Sequence, residues 1–238
     1  MKQKRQTYSD EDIPDIVRGH EVWIEYDMYG ISQGDRTECK LCFGHNMNSE
    51  RAVEIEKVKA TVFDTRGKQY DAHVGAGDDH LLGRFTPEQE GYHTLSVEYN
   101  SGILNLPHHS LEGPKYYHQY TKTIVPVGRS REKYDLIVGH ELEIVPLDYR
   151  QYKVGDDIIL KVLYDGRALA GATVYAIYVG NEDDPIEVQT DHHGRAAVEL
   201  KNNGKWMFKV MHRDPEKSAQ DRYDEKVMTA TFTVMDVR

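Results

Sequence analysis

Residues 205–212 read Lys-Trp-Met-Phe-Lys-Val-Met-His, and residues 227–237 read Val-Met-Thr-Ala-Thr-Phe-Thr-Val-Met-Asp-Val. In the first run Trp206, Phe208 and Val210 fall on one side. In the second, Met228, Ala230, Phe232 and Val234 do the same, with Thr229, Thr231 and Thr233 between them. A period of two is the signature of a β-strand, because successive side chains point to opposite faces. The same reading extends back along the chain through His140–Pro146, Ile158–Asp165, Thr173–Gly180, Ile186–Asp191 and Ala196–Lys201. Turns separate these runs, as in Asp165-Gly166-Arg167 and Thr190-Asp191-His192-His193-Gly194. Strands in such number and at such spacing complete an immunoglobulin-type sandwich over residues 140–238.

The first half carries an independent series: His20–Asp27, Thr37–His45, Ala52–Asp64, Lys68–Val74, Leu81–Phe85, Tyr92–Asn100 and Tyr120–Gly128. Leu95, Val97 and Tyr99 share a face, with Ser96 and Glu98 opposite. The expected fold class is therefore all-β, two tandem immunoglobulin-like β-sandwich domains. Residues 1–18 read as a flexible arm and 19–128 as the first sandwich. Residues 129–139 read as a charged linker and 140–238 as the second sandwich. Gly102, Pro107, Gly113 and Pro114 mark residues 101–118 as a long loop, of the kind that tends to carry function. Helical periodicity is nearly absent. A short helix is expected at most within Asp214–Asp224, where Pro215 suits a first turn.

Composition bounds the function. The net charge of the 238-residue chain is -10, which argues against nucleic acid and against anionic lipid. No stretch is long enough to insert in a membrane. Residues 1–18 are polar and lack the apolar core of a secretory leader. The two cysteines, Cys39 and Cys42, are three apart on an expected strand, so their thiols face opposite ways and no disulfide joins them. No nucleophile elbow, zinc-protease helix motif or phosphate loop is present, and the reading is non-enzymatic.

Histidine is abundant, with 12 residues. Imidazole suits nickel, cobalt, zinc and copper. His20 opens the first strand and His45 closes the second, so an antiparallel pair brings them to one pole. His93 points inward near a strand end, and the 101–118 loop adds His108, His109 and His118. These six residues are the candidate metal ligands. Each has a plainer reading: a strand-end His bonded to backbone, a satisfied core His, or a solvated loop. His73 and His80 read as turn residues beside aspartates, His192 and His193 belong to a turn, and His140 and His212 read as packing residues.

Several runs resemble a known family. They are Gly139-His140-Glu141-Leu142-Glu143-Ile144-Val145-Pro146, Tyr152-Lys153-Val154-Gly155-Asp156, Asp165-Gly166-Arg167-Ala168-Leu169-Ala170-Gly171-Ala172, Thr190-Asp191-His192-His193-Gly194-Arg195-Ala196 and Asn203-Gly204-Lys205-Trp206. In the first half, His20-Glu21-Val22-Trp23-Ile24 resembles the family's opening His-x-x-Trp strand, Phe43-Gly44-His45 its Gly-His strand end, and Tyr120-Thr121-Lys122 its closing strand. The family is that of bacterial and archaeal nickel/cobalt-transport accessory proteins, two-domain immunoglobulin-like proteins of unassigned function. The resemblance implies a metal-binding accessory that captures or presents nickel or cobalt, with a membrane metal transporter as partner. It also implies an extracytoplasmic location, although the leaderless start leaves the cytoplasm open. The alternative is a structural or adhesive immunoglobulin-like module that binds protein or glycan without metal. A third reading is a hydrolytic metal centre.

Overall fold

A computed structural model describes residues 20–27, 30–105, 113–133 and 136–238. The expected arm at 1–18 lies outside the described residues. The first half contributes β1 (Glu21–Tyr26), β2 (Thr37–His45), β3 (Asn48–Ser49), β4 (Val58–Phe63), β5 (Gln69–Asp71), β6 (His73–Ala76), β7 (Leu81–Phe85), β8 (Gly91–Asn105) and β9 (Pro114–Val127). The second contributes β10 (Leu142–Pro146), β11 (Asp157–Tyr164), β12 (Arg167–Ala168), β13 (Thr173–Tyr178), β14 (Ile186–Gln189), β15 (Arg195–Glu199), β16 (Gly204–Asp214) and β17 (Glu225–Val237). Among the described residues the only helical turn is a 3-10 turn at Ile55–Lys57. The helix expected within 214–224 is absent; that stretch turns back on itself through an Ala219–Tyr223 bridge.

The chain is all-β and sandwich-like, and its halves are joined by hydrogen bonds. An eight-stranded sheet runs β14-β13-β16-β17-β9-β8-β4-β5. Its middle is the parallel pair of β17 and β9, in which Thr231 lies opposite Thr121 and Thr233 opposite Thr123. The halves on either side of the expected linker thus share a sheet.

Two smaller sheets cover opposite faces of this central one. The sheet of β1, β2, β3, β7 and β6 packs over Leu95, Val97, Tyr99, Val125 and Val127. The sheet of β10, β11, β12 and β15 packs over Tyr120, Ile124, Trp206, Phe208, Met228 and Phe232. Strand parity decides which side chain goes where. On β9, Tyr120, Lys122 and Ile124 face the second-half sheet, while Thr121, Thr123, Val125 and Val127 face the first-half one. A third, small cluster of Trp23, Cys42, Ile177 and Met207 packs the outer face of β1 and β2 against β13 and β16. Cys39 and Cys42 are both free and buried, in different clusters, as their spacing requires.

Where the structure describes it, the long loop expected at 101–118 is mostly strand. β8 and β9 stay paired out to Asn105 and Pro114, and the register slips once, between Asn100 and Gly102. Gly102 marks a bulge within a strand and not its end: Ser101 is the extra residue, and Gly102 after it takes the positive φ of 87°.

Candidate functional site

The first pole of the β1–β2 pair collects the residues of interest. β1 and β2 run antiparallel with Glu21 opposite Gly44, which places His20 beside His45. Their ring centroids are 5.9 Å apart. His20 is buried and stacks on Phe43 at 5.4 Å, and Phe43 meets Tyr99 edge-on at 5.8 Å. Arg51 lies over the Phe43 ring at 5.5 Å.

The geometry of His45 depends on a tight hairpin. Asn46 and Met47 both take positive φ (47° and 67°), the pattern of a type I′ turn between β2 and β3. A Cβ on Gly44 would sit 2.0 Å from the Asn48 carbonyl oxygen, so only glycine lets the two strands approach this closely. The returning strand carries Glu50 back to His20.

Glu50 was not legible as a site residue, yet its carboxylate oxygen lies 2.8 Å from His20 Nε2. A carboxylate accepts, so the ring proton is assigned to Nε2. In the neutral ring the other nitrogen, His20 Nδ1, is then the one without a proton. It is buried and has no hydrogen-bond partner among the described residues. Buried polar atoms are nearly always satisfied, and an exception asks for an explanation.

Next to the pair, Glu21 is fully buried. It accepts from the Asn46 backbone N–H at 2.6 Å and pairs with Lys209 of β16 at 3.0 Å. Burial, partly offset by Lys209, pushes its pKa up from 4.5 to about 7. Asn46 also donates to the Glu182 carbonyl at 2.6 Å, so the hairpin is tied to the second half.

The other expected ligands go elsewhere. His93 faces the same core as Tyr99 but lies six residues earlier on β8, about 20 Å along the strand. Its Nδ1 is 3.4 Å from the Gly91 carbonyl oxygen, and burial lowers its pKa. The parity assigned to it holds, but β8 starts at the far pole. His118 belongs to β9 and sits on the opposite face of the central sheet. Its Nδ1 is 2.9 Å from the Tyr120 hydroxyl, and the two rings are 4.4 Å apart. Burial, then Lys226, pushes its pKa down to about 4. His108 and His109 lie outside the described residues.

Two histidines read as packing residues do pack. His140 stacks on Tyr120 at 5.0 Å, and its Nε2 lies 2.6 Å from the Ser96 hydroxyl. Burial, with Lys122 nearby, pushes its pKa down to about 3. His212 packs on Tyr164 at 4.4 Å. Among the described residues, no group of three or more His, Cys, Asp or Glu side chains is placed to hold a metal ion.

Residues 17–214 match the model of a family described as a domain of unknown function, DUF4198. No curated protein matches the chain. Among solved structures, the D0-D1 domain of intimin aligns at 10% identity over 89% of this chain and 97% of that one, with a TM-score of 0.25. A two-domain fibronectin type-III segment of chicken tenascin aligns at 12% identity over 89% of this chain and 99% of that one, with a TM-score of 0.26. TM-scores this low leave the fold to be read from the strand pairing itself.

Proposed function

We propose that this protein, which belongs to the DUF4198 family of unknown function, is a non-enzymatic binder of a divalent transition metal ion, with His20 Nδ1 and His45 as its own ligands. The observation that supports this reading is His20 Nδ1, buried and without a hydrogen-bond partner among the described residues, beside a second imidazole while Nε2 is held by Glu50. A metal-ligating histidine commonly donates its other ring N–H to a carboxylate, which sets the tautomer and aims the ring. Glu50 has that relation to His20.

The ring spacing is compatible. With metal–nitrogen distances of about 2.1 Å, two imidazoles on one ion have centroids roughly 5 Å apart. The 5.9 Å found here needs a side-chain adjustment of about 1 Å, and half-buried His45, next to a hairpin turn, can make it. Two protein ligands leave the remaining positions to water or to a donor from a partner. Such an open site suits capture and hand-over more than permanent storage. Nickel or cobalt is the expected cargo by resemblance to metal-uptake accessories, with zinc and copper as competitors. A membrane metal transporter is the corresponding partner.

Calorimetric titration with Ni(II), Co(II), Zn(II) and Cu(II) tests the reading. His20→Ala and His45→Ala each weaken binding at least tenfold. Glu50→Gln weakens it less, because Glu50 aims the His20 ring through Nε2 and is not itself a ligand. The second reading, a metal-free adhesive module, is favoured if none of the four ions binds.

A further inference from the structure

At the other pole, where the two halves meet, a cleft of about 260 Å³ opens between the end of β9, the 129–131 segment, the turn after β10 and the end of β17. Its floor is aromatic. Tyr92 and Tyr149 are buried and meet edge-on at 5.2 Å. Its rim carries Arg129, Arg131, Arg150 and Arg238, with Asp236 as the only acidic residue among the described residues of the lining. That is an unusual concentration of positive charge on a chain whose net charge is -10.

Two of the four guanidiniums are neutralised locally. Arg150 pairs with Asp148 at 2.8 Å, and Arg238 pairs with Asp236 at 2.7 Å. The other two are not. Glu90 approaches the same turn, but its Oε2 accepts from the backbone N–H groups of Arg129 and Ser130, at 3.1 and 3.3 Å. Arg131 donates to the Ser130 carbonyl at 2.9 Å, and its guanidinium lies 5.6 Å over the Tyr92 ring. Among the described residues neither Arg129 nor Arg131 has a carboxylate partner at its guanidinium. Both are exposed and line the cleft, so their guanidiniums are open to a ligand.

We propose that this cleft is a binding site for a small polyvalent organic anion, bearing carboxylate or phosphate groups, held by Arg129 and Arg131 against the Tyr92–Tyr149 floor. The guanidinium fork matches two oxygens of a carboxylate or phosphate at once, which a single surface lysine does not do. The volume sits just below that of drug-sized pockets, roughly 300–1,000 Å³, which sets the ligand at metabolite size. The liners come from both halves, so a bound anion bridges them. The site is independent of the histidine pair. It lies beyond the far end of β1, about 20 Å from His20 along a six-residue strand.

The test uses the full chain, freed of metal, with citrate and inorganic pyrophosphate as separate probes and sodium chloride at matched ionic strength as reference. Binding is read by calorimetry and by the shift in thermal midpoint. The proposal expects at least one of the two anions to bind saturably and to raise the midpoint above the chloride reference. Which one binds distinguishes a carboxylate from a phosphate ligand. Arg129→Gln with Arg131→Gln should weaken that binding at least tenfold, whereas exposed Arg167→Gln on β12 should leave it unchanged. The proposal is overturned if neither anion exceeds chloride, or if the double variant binds as tightly as the parent.

Discussion

Lys122 of β9 and Glu143 of β10 form an ion pair that is almost completely buried between the two halves, each side chain 1% exposed. The same two groups hold the connecting segment. Lys122 donates to the Leu136 carbonyl at 2.5 Å, and Glu143 accepts from the N–H groups of Val138 at 2.8 Å and Gly139 at 3.0 Å. Leu136, Val138 and Gly139 are thereby tied to the buried pair. Removing one partner strands the other as a buried charge, which typically costs about 3–5 kcal/mol. Lys122→Met and Glu143→Gln should each lower stability by an amount of that order in urea unfolding. Both should keep a single transition reporting on both halves. Two separate transitions in the parent would contradict this coupling.

The hydroxyls of Thr231 and Thr233 show how the first half is stitched to β17. They donate to the carbonyls of Val22 and Ile24 of β1, at 2.6 and 2.9 Å. Thr233→Val keeps the shape and leaves the Ile24 carbonyl without its donor. A loss of about 1–3 kcal/mol is expected, measurable as a lower urea midpoint, with no change in far-UV circular dichroism.

These threonines also mark what was readable. The alternation along 228–234 is plain in the sequence, and it places Met228, Ala230, Phe232 and Val234 correctly in the core. The intervening threonines look like a solvent face, yet Thr231 and Thr233 are buried. Period-two patterning separates apolar from polar sides. It does not reveal that a polar side is covered when its hydroxyls are satisfied by another strand's backbone. For the same reason the central sheet, covered on both faces by different sheets, was not legible. The meeting of His20 and His45 was, because it needs only an antiparallel neighbour pair. His93 was read with the right parity but at the wrong pole, since parity carries no information about strand order. Glu50 had one available signal, its position directly after the strand returning from the Asn46-Met47 turn.

Acid should destabilise the protein, through histidines and against Glu21. His118 and His140 have folded-state pKa values pushed down to about 4 and about 3. Their contribution is present above the ordinary value near 6.5 and is lost as pH falls through the depressed values. Glu21, raised to about 7, works the other way: its contribution is full below 4.5 and is lost as pH rises through 7. Two histidines outweigh one carboxylate, so a net loss on the order of 2 kcal/mol is expected between neutrality and pH 4.5. His118→Gln should flatten that decline in urea unfolding measured across the range. A parent that gains stability on acidification would refute the assignment.

Gly44 links the fold to the site. In Gly44→Ala, the new Cβ meets the Asn48 carbonyl, which lies 2.0 Å from its ideal position. The hairpin must open, at about 2 kcal/mol or more. His45 moves with it, so the variant should lose metal affinity as well as thermal stability. Gly194→Ala is the control. There a Cβ meets the Val162 carbonyl oxygen at 2.8 Å in a turn of the second half, which should cost stability but leave metal affinity intact.

The central claim is that His20 Nδ1 and His45 together hold a divalent transition metal ion. The most direct measurement is calorimetric titration of the parent and of the His20→Ala/His45→Ala double variant with Ni(II) and Co(II), at neutral pH and again on the acid side of the imidazole range. One-to-one binding by the parent is expected, weakening on acidification because protonated imidazole cannot ligate. Binding should be lost in the double variant, while His192→Ala behaves as the parent. A double variant that binds metal as tightly as the parent would contradict it.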